Sequence, residues 1–169
     1  IPISRKSARK YLKYYLINYG KFIDFVLLSR PDEAFYCIDL VAKYCTNATI
    51  IYDTVDLHFL RWERKANLEQ NKSSLRKSNK YKTMEISLCK KSDITLTVTQ
   101  EEKMILTQEV PHANIQVLPN IHEKYNSEIT SEGRKDLMFI GFMGHPPNED
   151  GIIYFINDIL PLIKNRIPN

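Results

Sequence analysis

The stretch Ala48 to Arg64, ATIIYDTVDLHFLRWER, decides the fold. Its first five residues, Ala48-Thr49-Ile50-Ile51-Tyr52, make an apolar, β-branched run, the pattern of a strand buried in a parallel sheet. The run delivers Asp53 and Asp56, three positions apart, followed at once by His58, Arg61, Glu63 and Arg64. Ligands of open α/β sheets bind just beyond the carboxyl ends of the strands, so two acids and a histidine at that edge are a candidate site. Capping of the following helix explains one of the acids. It does not explain both together with the histidine.

Working upstream, Phe22 to Leu28 (FIDFVLL) reads as a second buried strand. It runs into Ser29-Arg30-Pro31, where proline suits the first turn of a helix, and Asp32 and Glu33 sit where the helix dipole favours negative charge. A helix through Thr46 places Ala34, Phe35, Ile38, Val41, Ala42 and Cys45 on one stripe. Strand, helix and strand in about 30 residues is a βαβ unit, with parallel strands and a right-handed crossover. Further back, Ser4 to Gly20 (SRKSARKYLKYYLINYG) carries five Lys/Arg and four tyrosines, with Leu12, Tyr15, Leu16 and Tyr19 on one helical face. A basic, tyrosine-rich helix suits nucleic acid or a membrane surface. The commoner reading is an amphipathic surface helix whose tyrosines pack and whose lysines are solvated.

Downstream of Asp56 the pattern is helical to about Gln70, and the polar stretch Asn71 to Lys82 reads as a loop or exposed helix start. Its basic residues, Lys72, Arg76, Lys77, Lys80 and Lys82, read first as a solvated helix face. Tyr81, Met84, Glu85 and Leu88 follow at helical spacing. Ile94 to Val98 (ITLTV) is a third strand, Thr99-Gln100-Glu101-Glu102 a helix-capping signature, and Ile115 to Leu118 (IQVL) a fourth strand. The order βα-βα-βα-β is that of a doubly wound, Rossmann-like parallel sheet.

After Asn120 the texture changes. Residues 1–120 form the expected first domain, 121–135 (IHEKYNSEITSEGRK, with Gly133) a polar linker, and 136–169 the start of a second domain. That start is a strand, Leu137-Met138-Phe139-Ile140, then a loop and a helix from Asn148, which Pro161 should kink or restart. The loop, Gly141-Phe142-Met143-Gly144-His145-Pro146-Pro147, has glycines ahead of a helix N-terminus, where backbone amides can approach a phosphate. Gly-x-x-Gly is a weak signal by itself, and both G-x-G-x-x-G and the Walker pattern are absent.

The bulk numbers fit this reading. The 169 residues are 43% hydrophobic and 26% charged, as in a soluble globular protein, and a formal charge of +4 (24 basic, 20 acidic) is only a mild excess. Cys37, Cys45 and Cys89 are an odd count, and the first two lie about 12 Å apart along one helix, too far for a disulfide. A reducing, cytoplasmic setting is expected. No apolar run reaches the ~18 residues of a membrane span. The chain opens at Ile1-Pro2-Ile3 and stops at Asn169, which leads to the expectation of a fragment of something longer.

Together, four segments resemble a two-domain glycosyltransferase of the group 1 type, also called family 4, with the GT-B architecture. They are IIYDTVDLHFLRWER; the step Glu85…Ser92-Asp93-Ile94 with Thr99 and Glu102; NIQVLPNI from Asn114 to Ile121; and DLMFIGFMGHPPNEDGIIYFINDILPLI from Asp136 to Ile163. The resemblance runs from about Asp24 onward, and the order of all four segments carries it. It implies retaining, hexosyltransferase-like transfer from a nucleotide-diphosphate sugar to a glycan or lipid-linked acceptor, in a cleft between two Rossmann-like domains. A bacterial surface-polysaccharide pathway is implied with it. In that scheme Asp53, Asp56 and His58 line the acceptor side as catalytic residues, and Arg61 binds an anionic group of the acceptor. Gly141, Phe142, Gly144, His145 and Asn148 lie near the donor diphosphate. The nucleotide sugar is a co-substrate; no cofactor and no metal are implied. The partners are small molecules rather than nucleic acid, with peripheral contact at the inner face of the cell membrane. A Glu-x7-Glu pair of the second domain has no counterpart here, since Glu101 and Glu109 have the spacing but fall in the first domain. The chain alone is therefore expected to be inactive.

Two other readings stand beside this one. Asp53 at a strand end is similar to the phospho-accepting aspartate of a signalling receiver, but the acidic pair and the lysine that such a fold needs are not in order. A basic nucleic-acid-binding module would use the lysines, which are scattered rather than striped. A structural role without ligand is the remaining possibility.

Overall fold

Helix α1 (Arg5–Tyr19) and a 3-10 turn (Gly20–Phe22) lead into strand β1 (Phe25–Ser29), helix α2 (Pro31–Tyr44) and strand β2 (Thr49–Asp53). Helices α3 (His58–Glu69) and α4 (Lys72–Lys91) precede β3 (Ile94–Thr97), α5 (Gln100–Glu109) and β4 (Ile115–Val117). The computed structural model describes residues 5–121, 123, 132 and 136–167. The chain divides into two units, Ile1–His122 and Glu123–Asn169.

The first unit is an α/β layer with a four-stranded, all-parallel sheet in the order β1-β2-β3-β4. Leu28, Tyr52 and Thr95 stand side by side across β1 to β3, with Thr95 opposite Ile115 of β4. Successive neighbours joined by right-handed crossovers put their helices on one face. Accordingly Ile50, Tyr52 and Ile115 enter a single core with Ala34, Ile38 and Val41 of α2, Leu88 of α4 and Leu106 of α5. Side chains alternate faces along a strand, so the opposite face carries Phe25 and Leu27, which are 70% and 60% exposed. The expected doubly wound sheet requires a reversal of strand order and helices on both faces. Among the described residues there is no such reversal; the Rossmann-like expectation holds as a parallel α/β sheet.

One boundary differs from the sequence reading. The first strand starts at Phe25 rather than Phe22, because Gly20–Phe22 close a turn in which the Ile23 amide donates to the Gly20 carbonyl at 3.2 Å. Gly20 is required there, since a Cβ would run into the Tyr44 backbone carbonyl. Of the two readings of the polar segment from Asn71, a loop or an exposed helix start, the second holds: it is the first half of α4. The Asn71 side chain accepts the Ser73 amide at 2.8 Å, an N-cap that starts a 20-residue helix. Small Ser74 and Ser78 let α4 lie close to α3, and Ser78 Oγ donates to the Phe59 carbonyl at 3.0 Å.

The second unit contains α6 (Pro146–Tyr154), a π turn (Phe155–Ile159) and α7 (Leu160–Arg166). Pro161 restarts the helix as expected, and the π turn absorbs its missing N–H, with the Leu160 amide reaching back to the Phe155 carbonyl. The strand expected at Leu137–Ile140 is not formed. No described strand lies beside it, and without a partner an extended segment has no ladder to hold it. Leu137, Met138, Phe139 and Ile140 are all exposed. The expected linker 121–135 lies outside the described residues except for Ile121, Glu123 and Glu132. Among the described residues no helix is long and apolar enough to cross a membrane.

Candidate functional site

Parallel pairing brings the ends of β1, β2 and β3 into register at Ser29, Asp53 and Leu96, so Asp53 does sit on the carboxyl edge of the sheet. Its two oxygens are both engaged. Oδ2 accepts from Ser29 Oγ at 3.0 Å and Oδ1 from the Val55 amide at 3.1 Å. Asp53 thus ties two strand ends together and turns the chain. The turn is strained: Val55 has φ 62, and Arg30, at the neighbouring strand end, has φ 67. A β-branched residue in that region is a true outlier, and such strain persists only where surrounding bonds impose it.

Asp56 and His58 meet just before and at the start of α3. His58 Nδ1 lies 3.2 Å from the Asp56 carbonyl and 3.4 Å from Asp56 Oδ1. A carbonyl only accepts, so Nδ1 carries a proton and donates to it, and the neutral tautomer that fits this contact is the one with its lone pair on Nε2. Arg61, one turn on, reaches Asp56 Oδ2 at 3.5 Å. The side chain of Asp56 is 41% exposed and that of Arg61 54%, whereas His58 is 11% exposed, with its ring 5.3 Å from that of Tyr81. The structure therefore gathers Asp56, His58 and Arg61, with Asp53 behind them as a brace.

What holds this loop comes from two other helices. Glu85 of α4 is fully buried, and its carboxylate accepts the His58 amide and the Phe59 amide, each at 3.0 Å. Glu102 of α5 accepts the Leu57 amide at 3.1 Å and the Val98 amide at 3.2 Å. Two carboxylates from two other helices thus occupy the N-terminus of α3, where unpaired amides and the helix dipole favour an anion. Burial raises the Glu85 carboxyl to about 7, against the opposing pull of the two amides, and the nearby Asp56 and Glu102 charges push the same way as burial. The sequence did carry a signal: Glu85 falls on the stripe Ser74, Ser78, Glu85, Leu88, Cys89 that α4 buries. Glu102 was read as half of a capping box, and the Thr99 side chain does accept its amide at 3.1 Å.

Beside this loop, the phenol of Tyr52 and the hydroxyl of Thr54 are buried without a hydrogen-bond partner. Burial and the Glu85 charge push the Tyr52 phenol far above its ordinary value. A groove of about 290 Å³ is lined by residues of α3 and α4 and another of about 400 Å³ lies between α2 and α4, and neither is lined by Asp53, Asp56, His58 or Arg61.

In the second unit, the Phe142 carbonyl accepts the His145 amide at 3.0 Å and Asn148 Nδ2 at 3.1 Å, and the His145 carbonyl accepts the Asn148 amide at 2.9 Å. Pro146 and Pro147 have no amide N–H, and those of His145, Asn148 and Glu149 are used inside the turn. The first turn of α6 is thereby short of donors for a phosphate. Gly141 and Gly144 lie directly under the rings of Phe139 and Phe142, which a Cβ would meet at 2.8 Å and 2.5 Å. Among the described residues, no group of three or more His, Cys, Asp or Glu side chains is placed to hold a metal, and Cys37, Cys45 and Cys89 are free thiols. Comparison of the chain with protein-family models, curated proteins and solved structures finds no match.

Proposed function

We propose that this chain is part of a glycosyltransferase of the group 1 type with GT-B architecture, transferring a sugar from a nucleotide-diphosphate sugar to an acceptor hydroxyl held at the carboxyl edge of the first sheet. The observation that carries the reading is the Asp56–His58–Arg61 group beyond the end of β2, in which the Asp56 and Arg61 side chains are about half open to solvent. An acceptor hydroxyl in hydrogen-bond reach of the Asp56 carboxylate is oriented by it as its oxygen bonds to the anomeric carbon. The bond from that carbon to the diphosphate breaks with its electron pair leaving on phosphate oxygen, and the hydroxyl proton passes to the carboxylate or to His58 Nε2. Arg61 offers a planar cation for an anionic substituent.

The test is release of nucleoside diphosphate from a panel of nucleotide sugars by the protein that carries this sequence. Asp56→Ala is expected to lower the rate about a hundredfold, the low end of what a positioned acid or base contributes. No release from any sugar, or an unchanged rate in Asp56→Ala, would remove this assignment.

A further inference from the structure

The turn from β1 to α2 holds an arginine where glycine would be at ease. Arg30 has φ 67 and ψ 141, close to the region that only glycine visits freely. That ψ is ordinary for a residue ahead of proline, so the strain lies in φ. The backbone fixes this conformation from both sides. The Arg30 amide donates to the Asp53 carbonyl at 3.0 Å, its carbonyl accepts the Ala34 amide at 3.0 Å, and Pro31 is buried. None of these contacts uses the side chain. Arg30 is exposed, and among the described residues its guanidinium makes no hydrogen bond or ion pair. The acids around it are already engaged. Asp53 binds Ser29 and the Val55 amide through its two oxygens, Asp32 accepts from the Tyr81 phenol at 2.9 Å, and Asp56 faces His58 and Arg61. The Tyr81 ring lies 5.3 Å from that of His58, which joins the start of α2 to the start of α3. Arg61 reaches Asp56 with one nitrogen, at 3.5 Å. What this edge has left over is N–H donors carrying positive charge, on two arginines from the segments that follow adjacent strands.

We propose that Arg30 is a specificity-determining residue of this edge and that, with Arg61, it selects an acceptor sugar bearing a carboxylate or a phosphate group. The inference rests on the reading of this edge as the acceptor site. A planar guanidinium matches the paired oxygens of such a group and binds them through charge-assisted hydrogen bonds. Strain of the kind seen at Arg30 is kept where a ligand is clamped. A use outside the protein explains why a side chain stays at a position whose strain glycine would remove. A neutral sugar offers these donors only hydroxyls, so the charged group decides between acceptors.

The experiment is an NMR titration of the chain with glucose, glucuronic acid and glucose 6-phosphate, which differ in the group at the sixth carbon. Amide shifts at Ser29, Arg30 and residues 53–61 are expected with one or both charged sugars and not with glucose, and the sugar that binds shows which anion the site takes. Arg30→Gly should weaken that binding about tenfold. The same variant should melt about 3 °C higher than the wild type, because φ 67 is then unstrained. A residue kept for folding alone would instead lose stability on this change. Arg30→Lys keeps the charge without the planar fork, so it should melt with the wild type and bind between the two. Binding of glucose as tight as that of the charged sugars, binding of none of the three, unchanged binding in Arg30→Gly, or a lower melting temperature in that variant would each overturn the proposal. Binding is read without transfer, so a chain that takes a charged sugar but releases no nucleoside diphosphate would sink the sugar-transfer reading alone.

Discussion

Glu85 sets a pH dependence of stability with a defined sign. Its carboxyl is raised from an ordinary 4.5 to about 7 because burial penalises the charge more than the His58 and Phe59 amides reward it. The folded state therefore holds this proton more tightly than the unfolded chain does. Stability from the group is fully present below about pH 4.5 and is lost as pH rises through about 7, by roughly 3 kcal/mol at about 1.4 kcal/mol per pH unit. The assay is urea denaturation of the wild type and Glu85→Gln at several values between about pH 5 and pH 8. The amide of glutamine keeps one acceptor but turns a donor towards the second backbone N–H, so the variant should be about 1–2 kcal/mol less stable at the acid end. It lacks the downward slope, so the two curves should cross at about pH 6, with the variant the more stable protein above that. Taking the difference between proteins cancels the titrating groups that do not interact with Glu85. Parallel curves, or a wild type that gains on the variant as pH rises, would refute the assignment of a buried, proton-holding carboxyl to this position.

Two further outcomes follow from backbone geometry. Val55→Gly should stabilise the chain by about 1 kcal/mol, since relief of a φ of 62 outweighs the entropy that glycine costs; a loss of stability in the same urea assay would count against strain at this turn. Gly20→Ala should destabilise by about 2–3 kcal/mol, because its Cβ meets the rigid Tyr44 carbonyl, and the melting temperature should fall by roughly 8 °C. An unchanged melting temperature would show that the turn moves freely.

The elements of the first unit were legible because their signals are local. The apolar run to Tyr52, Pro31 at a helix start and Thr99 at a cap each act within a few residues, and each stands where it was read. The uses of side chains were harder, because they depend on what another element brings. Asp53 looks like a free acid until β1 sets Ser29 beside it, and Glu85 looks like one more charge on a polar helix until α3 presents two amides to it. The tyrosines of α1 misled for the opposite reason. Their spacing suits a buried face, but α2 covers only the side that carries Arg9, Leu12 and Leu16. Leu137 to Ile140 had the composition of a strand, and composition cannot supply the neighbour that makes one.

The order β1-β2-β3-β4 bears on how the sheet is made. Each strand hydrogen-bonds to the one synthesised just before it, with one helix or one helical hairpin closing the gap. No strand waits for a distant segment to be translated. The sheet can grow from its first edge in the direction of synthesis, each βα step docking on a template already in place, with no closure longer than a single crossover.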